Sequence, residues 1–192
     1  MFDWSLPENH AIAILKKDHD TIKGLLDDFE KARTSADKEK IIAKAIMEQQ
    51  IHSILEEEIF YSAVRVHIGS QIMNEADDEH QAVRVLIAEL LRTGNHNGQR
   101  EAKFTVVAER IRHHIKEEET EMLPKAKGLD IDFLALGQRL LDRKKELLRD
   151  GIPPDDEYPI AISNGKTDSS AAKNRRGQEG RVEGRPQVQP RP

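Results

Sequence analysis

Two short stretches hold the residue types that can do chemistry. His52-Ser53-Ile54-Leu55-Glu56 and His114-Ile115-Lys116-Glu117-Glu118 each place an imidazole four residues ahead of a carboxylate. On a helix, positions i and i+4 share a face one turn apart. Both side chains then reach one point in space, which is how a helix presents two ligands to a metal ion. Each pair has a further histidine upstream: His19 stands 33 residues before His52, and His80 stands 34 before His114. The order histidine, then His-x-x-x-Glu, then the same again reads as two copies of one helical hairpin.

For any single histidine on an apolar seam, the ordinary reading is a core residue with a hydrogen-bond partner. Six groups converging on one level change that balance. An unpaired buried carboxylate costs several kcal/mol or takes up a proton, and a cation removes that cost. The chain has no cysteine, so disulfides, thiolate metal sites and thiol redox chemistry are excluded. A metal must be held by imidazole and carboxylate, which favours iron, manganese or zinc in a nitrogen/oxygen shell; iron is the expected ion, with manganese or zinc less favoured. Two equivalent halves suit two ions better than one. Each half supplies two histidines, with Glu56 and Glu118 bridging alongside an oxo or hydroxo group, following the inward-facing carboxylate and histidine logic of di-iron bundles. Open positions on such a pair suit dioxygen, hydrogen peroxide or nitric oxide.

The elements that must position these groups are helices. Charged residues make up 34% of the 192-residue chain and aromatics 4%, a balance that suits long amphipathic helices with aliphatic seams. The midpoints between successive histidines fall near Ser35, Val66 and Asn97, close to the turn signals Thr34–Asp37, His67–Ser70 and Thr93–Gly98. If the helices alternate up and down, all four histidines share one level, roughly 20–25 Å from each turn. The expected fold is all-α: an up-down-up-down antiparallel four-helix bundle with a fifth C-terminal helix and a disordered tail.

Ser5-Leu6-Pro7-Glu8 reads as a capping box, with Trp4 as a staple, opening a helix to about Arg33 on the seam Ile12, Leu15, Ile22, Leu26 and Phe29. The second helix is expected over about Asp37 to Val66, the third over Ser70 to Arg92 and the fourth over Gly98 to Leu123. Pro124 ends the fourth, and Lys125–Gly128 reads as a connector. Asp130 is the expected cap of the fifth helix, which stops at Gly151. Residues 1–151 form the bundle in this reading. Residues 152–192, rich in Pro, Gly and Arg, bury too little apolar surface to offset their ordering entropy. Their arginines allow weak contact with nucleic acid, but a solvated tail is the favoured reading, and the net charge of −5 gives no reason to expect a nucleic-acid-binding body. No apolar run approaches 18 residues and the N-terminus lacks a secretion signal, so no membrane span and a cytoplasmic location are expected.

Around the six candidates, Glu57, Glu58, Glu117 and Glu119 read as solvated or as supports of the ligands. His113 points away from the site, and His10, His67 and His96 read as surface residues. Phe60 and Met122, each eight residues after a motif histidine, are expected to wall the site. Tyr61 is a candidate redox-active or hydrogen-bonding neighbour, with packing as the favoured role.

Taken in order, Lys17-Asp18-His19-Asp20, His52 to Glu57, Asp78-Glu79-His80 and His114 to Glu119 ending in Leu123-Pro124 resemble the hemerythrin-like, or HHE cation-binding, domain over about residues 8–150. The resemblance implies a four-helix bundle with a non-haem di-iron centre, and by motif match it implies His19, His52, Glu56, His80, His114 and Glu118 as ligands. Oxygen-carrying hemerythrins have a fifth histidine one turn from the third-helix histidine; here those positions are Ala76 and Arg84. That departure weakens simple oxygen carriage. It leaves catalase-like peroxide decomposition, iron or redox sensing and iron handling open, and the fold cannot choose among them. The alternative to a reactive centre is an iron- or redox-sensing interaction module without catalysis of its own, its protein partner unknown. A phosphotransfer bundle needs one exposed histidine with basic neighbours, whereas these four lie on apolar seams.

Overall fold

A computed structural model describes residues 6–93 and 98–153. Among them the ordered elements are all helical: α1 (Ala11–Lys31), α2 (Ser35–Leu55), a π-helical turn (Glu56–Phe60), α3 (Tyr61–Ile68), α4 (Ser70–Arg92), α5 (Gln99–Glu117), a second π turn (Glu118–Met122), α6 (Leu123–Lys127) and α7 (Phe133–Asp150). None of the described helices is long and apolar enough to cross a membrane. Trp4, Ser5, His96 and the tail from residue 154 onward lie outside the described residues.

The apolar seams become buried faces. On α1, Ile12, Leu15, Ile22 and Leu26 are fully buried and Phe29 nearly so, with His19 in the same row. Each such side chain contributes about 1.5–3 kcal/mol by leaving water. α1 packs on α2, α4 packs on α5, and α7 lies against both α1 and α2. Two apolar clusters result. Leu15, Leu55, Met73 and Met122 belong to one; Ile22, Ile42, Val83 and Ile111 belong to the other. On α1, α2 and α4 the change from one cluster to the other occurs at or next to the histidine, and after His114 it falls between Ile115 and Met122. The polar residues therefore form one layer between two oily halves.

Several boundaries differ from the sequence expectation. α1 starts at Ala11, not after a cap at Ser5–Glu8. Pro7 and His10 close a turn, and His10 Nδ1 accepts from the Ile12 N–H at 3.2 Å. His10 also stacks on Phe133 with ring centroids 4.9 Å apart, so it is a half-buried cap and not a free surface residue. Asp132, and not Asp130, caps α7 by accepting from the Leu134 and Ala135 N–H groups. The second helical stretch continues to Ile68, where Gly69 at φ 104° makes the turn.

Pro124 does not end the fourth helix. Proline has no N–H to give and clashes in an uninterrupted helix. The π turn ahead of it already breaks the i→i−4 ladder, and Pro124 falls in the first turn of α6, where the missing N–H costs little. The expected Lys125–Gly128 connector is helical to Lys127.

Gly137 brings α7 close to the start of α1. A Cβ there would overlap the Asn9 carbonyl oxygen. The close approach lets Phe133, Leu136 and Leu140 reach the core, and it places Lys144 Nζ 2.6 Å from Asp18 Oδ1.

Candidate metal centre

Both His-x-x-x-Glu motifs straddle the junction of an α-helix with a π turn. Glu56 and Glu118 are the first residues of the two π turns, and their carbonyls accept from the N–H groups five residues on, at Tyr61 and Leu123. The wider turn rotates the following residues relative to the ligand face. π bulges of this kind recur at functional sites, and here they occur at equivalent points of the two hairpins.

His19, His52, His80 and His114 lie on α1, α2, α4 and α5, and all six candidates are buried, between 0% and 2% exposed. Their donor atoms converge. Glu56 Oε1 lies 3.1 Å from His52 Nε2 and 3.8 Å from His19 Nε2. Glu56 Oε2 lies 3.3 Å from His80 Nε2 and 3.9 Å from His114 Nε2. Each oxygen of one carboxylate thus faces a different histidine pair. Glu118 Oε2 sits between the halves, 3.1 Å from His19 Nε2 and 3.6 Å from His114 Nε2. The two histidine pairs match: His19–His52 and His80–His114 both have ring centroids 4.6 Å apart, at 71° and 70°.

The donor set fits a cation. His19 Nε2, both ring nitrogens of His52, both oxygens of Glu56 and Glu118 Oε2 are buried and make no hydrogen bond. Orphaned buried polar atoms are rare because each costs about 1–3 kcal/mol or more. Ligand atoms about 2.1 Å from a common metal lie roughly 3–4 Å apart, and the separations above fall in that range. His19, His52, Glu56 and Glu118 form one group able to hold an ion; Glu56, His80 and His114 form another.

Behind each histidine stands a carboxylate from another element. Glu119 Oε1 lies 3.1 Å from His19 Nδ1. Glu57 Oε1 lies 2.6 Å from His80 Nδ1, and Glu79 Oε2 lies 3.0 Å from His114 Nδ1. Asp18 Oδ2 is more distant, 4.0 Å from His52 Nδ1. The three closer partners fix the ring orientation and turn Nε2 toward the middle of the polar layer. They are held in turn: Arg84 donates to Glu57 at 2.8 and 3.0 Å, Lys23 to Glu119 at 3.1 Å and Lys144 to Asp18 at 2.6 Å. Arg84, one turn from His80, therefore braces the site from outside.

Charge is concentrated here. Burial lowers the His114 pKa, but Glu118, Glu56 and Glu79 outweigh it and raise the group to about 10. Burial likewise opposes protonation of His19, yet Glu118, Glu119 and Glu56 hold it well above its ordinary value. Burial raises Glu56, while His52, His114 and His19 outweigh it and pull the group well below the usual carboxylate range. The layer holds positive charge tightly, as protons or as a metal.

Tyr61 is fully buried. Its Oη donates to Glu118 Oε1 at 2.6 Å and lies 3.2 Å from His80 Nε2. Burial, then Glu118 and Glu56, push its pKa well above 10, so it remains a neutral donor. The favoured packing role is corrected: Tyr61 is part of the polar layer. It follows directly on the first π turn, which no residue pattern in the sequence marks. Asp18 and Glu79 stood beside His19 and His80 in sequence, but each supports a histidine on a different helix.

The remaining expectations are mixed. His67 is exposed and His113 points outward with its side chain 55% exposed. Phe60 and Met122 are buried in the cluster that holds Leu55 and Met73. Glu57 and Glu119 take the supporting role. Glu58 and Glu117 do not reach the ligand histidines: Glu58 accepts from Arg143 at 2.7 Å, and Glu117 faces His113.

The profile of the Hemerythrin HHE cation binding domain family matches residues 10–126. The crystal structure of a hemerythrin HHE cation binding domain-containing protein from Mycobacterium kansasii is similar, with a TM-score of 0.62 and 26% sequence identity over 71% of this chain and 86% of that one. No curated protein gives a significant match.

Proposed function

The chain belongs to the hemerythrin HHE cation-binding domain family, and on that premise we propose that His19, His52, Glu56, His80, His114 and Glu118 hold two iron ions that bind or react with dioxygen, hydrogen peroxide or nitric oxide. One observation carries this reading. Both oxygens of Glu56 are buried without a hydrogen bond, and each faces a separate histidine pair. A carboxylate in that position suits a bridge between two cations. The matched ring geometry of the two pairs supports equal halves.

The same reading takes α1, α2 with α3, α4, and α5 with α6 as the four members of an up-down-up-down bundle, with α7 as a fifth helix alongside. The single polar layer between two apolar clusters supports it.

Iron in such a site supplies electrons and open coordination to a small oxygen or nitrogen ligand. The protein does the rest. Three of the imidazoles stay oriented because Glu119, Glu57 and Glu79 reach the outer nitrogens of His19, His80 and His114, and Asp18 faces that of His52 from 4.0 Å. Tyr61 Oη keeps its proton at the edge of the site, donated to Glu118 and beside His80, and so holds that carboxylate in place. Ala76, buried one turn from His80, supplies no donor atom and leaves room beside that histidine. Phe60 and Met122 keep bulk water from the cluster-facing side.

The test is oxygen evolution from hydrogen peroxide by iron-loaded protein, together with nitric oxide and dioxygen binding read by optical spectrum. Activity in one of these, lost in His52→Ala, is the expected result. Iron-loaded protein inert to all three overturns the reactivity part of the proposal.

A further inference from the structure

Outside the ligand set, a cavity of about 60 Å³ opens between α4 and the end of α5. By the ~10–15 Å³ that one water needs, several waters fit. Its polar wall is Glu75, Glu79, Glu117, Glu118 and Glu121, with Met122 on the apolar side. No Lys or Arg lines it. Five carboxylates around a small wet space make a strongly negative funnel, which concentrates cations and speeds their arrival.

Two further features say what the funnel leads to. At its inner end is Glu118, 2% exposed, whose Oε2 is buried without a hydrogen bond and faces His19 and His114. At its outer end, Glu79, His113 and Glu117 form a separate group whose ligand atoms lie close enough for one cation. His113 and Glu117 there are 55% and 45% exposed. Glu79 touches both worlds. One oxygen lies 3.0 Å from Nδ1 of exposed His113, and the other lies 3.0 Å from Nδ1 of buried His114.

The geometry points to an admission route for divalent cations: the outer His113–Glu117–Glu79 group captures a hydrated ion, and the acidic cavity passes it to Glu118. This rests on the proposed metal centre. The route adds residues the centre does not use, since Glu75, Glu117, Glu121 and His113 coordinate nothing in the inner layer. A hydrated divalent ion fits the charge and a space with room for water; an anion is repelled by the carboxylates.

The experiment measures the rate at which metal-free protein takes up ferrous iron without oxygen, read by a chelating dye that reports remaining free iron, with bound iron counted afterwards. Glu75→Gln/Glu121→Gln removes two charges from the walls and no ligand. A Glu89→Gln/Glu109→Gln control removes the same charge from exposed positions that do not line the cavity, near the far end of α4 and midway along α5. The wall variant is expected to load on the order of tenfold more slowly, to reach the wild-type iron count, and to differ less from wild type at high salt. Wild-type loading in the wall variant overturns the route. Equal slowing in the control overturns it too, because bulk charge then suffices. A lower final count in the wall variant also overturns it, since these residues would then be ligands. A wild-type protein that takes up no iron removes the metal centre and the route together.

Discussion

Replacing Glu57 by Gln tests whether the outer carboxylates govern the metal. Glu57 Oε1 accepts from His80 Nδ1–H at 2.6 Å when that nitrogen carries the proton, and Arg84 donates to both its oxygens. Glutamine keeps the size and one acceptor but removes the charge. His80 then becomes a less basic ligand, and the Arg84 guanidinium is left facing a neutral amide. Loss of such a partner typically costs 10–100-fold in metal affinity, or about 1.4–2.8 kcal/mol. The loss should be local. His80 pairs with His114, whereas His19 has Glu119 behind it and His52 has Asp18. Chelator competition that resolves the two binding steps is the assay. The expected result is one weakened step and one near wild type, with Glu119→Gln weakening the other. Equal weakening of both steps in each variant, or no change in either, refutes the reasoning.

Tyr61→Phe strips the donor from buried Glu118 Oε1, and leaving that oxygen unsatisfied costs about 1–3 kcal/mol. The metal-free protein should melt lower, by roughly 2–4 °C per kcal/mol, and an unchanged melt contradicts the assignment. Gly137→Ala drives a methyl into the Asn9 carbonyl, so α7 must shift at a cost of about 1–3 kcal/mol or more; a variant as stable as wild type shows that α7 does not dock as described. pH dependence distinguishes metal-free from iron-loaded protein. His114, raised to about 10 from 6.5, stabilises the metal-free fold fully below pH 6.5 and progressively less up to pH 10. Glu119, lowered to about 2 from 4.5 first by its contact with His19, contributes above pH 4.5 and loses that contribution as pH falls toward 2. Thermal melts of metal-free protein should therefore decline above pH 6.5. Iron-loaded protein, whose imidazoles bind neutral, should lack that alkaline decline. A flat alkaline limb without metal argues against the charged layer.

The sequence made the six buried donors legible because helical periodicity is a local property. His19, His52, His80 and His114 fill gaps in apolar seams, and the spacing of 33 and 34 residues set them at one level. What stayed hidden depends on contacts between helices. Asp18 is adjacent to His19, but the ring nitrogen it faces belongs to His52. Glu79 is adjacent to His80 and supports His114. Tyr61 looked like a packing residue because five-residue hydrogen bonds after Glu56 turn it inward, and nothing in Glu56-Glu57-Glu58-Ile59-Phe60 announces a π turn. Pro124 was read as a stop for the same reason. Helix starts were mislaid by a few residues: Asp132 and not Asp130 caps α7, and His10 caps α1 just before Ala11.

The central claim is that these donors exist to hold metal. Native mass spectrometry of the folded chain after iron loading and desalting counts the ions directly. Two irons per chain, falling when Glu56 is replaced by Ala while the fold persists, is the predicted result. A folded wild-type chain that retains no metal would contradict it.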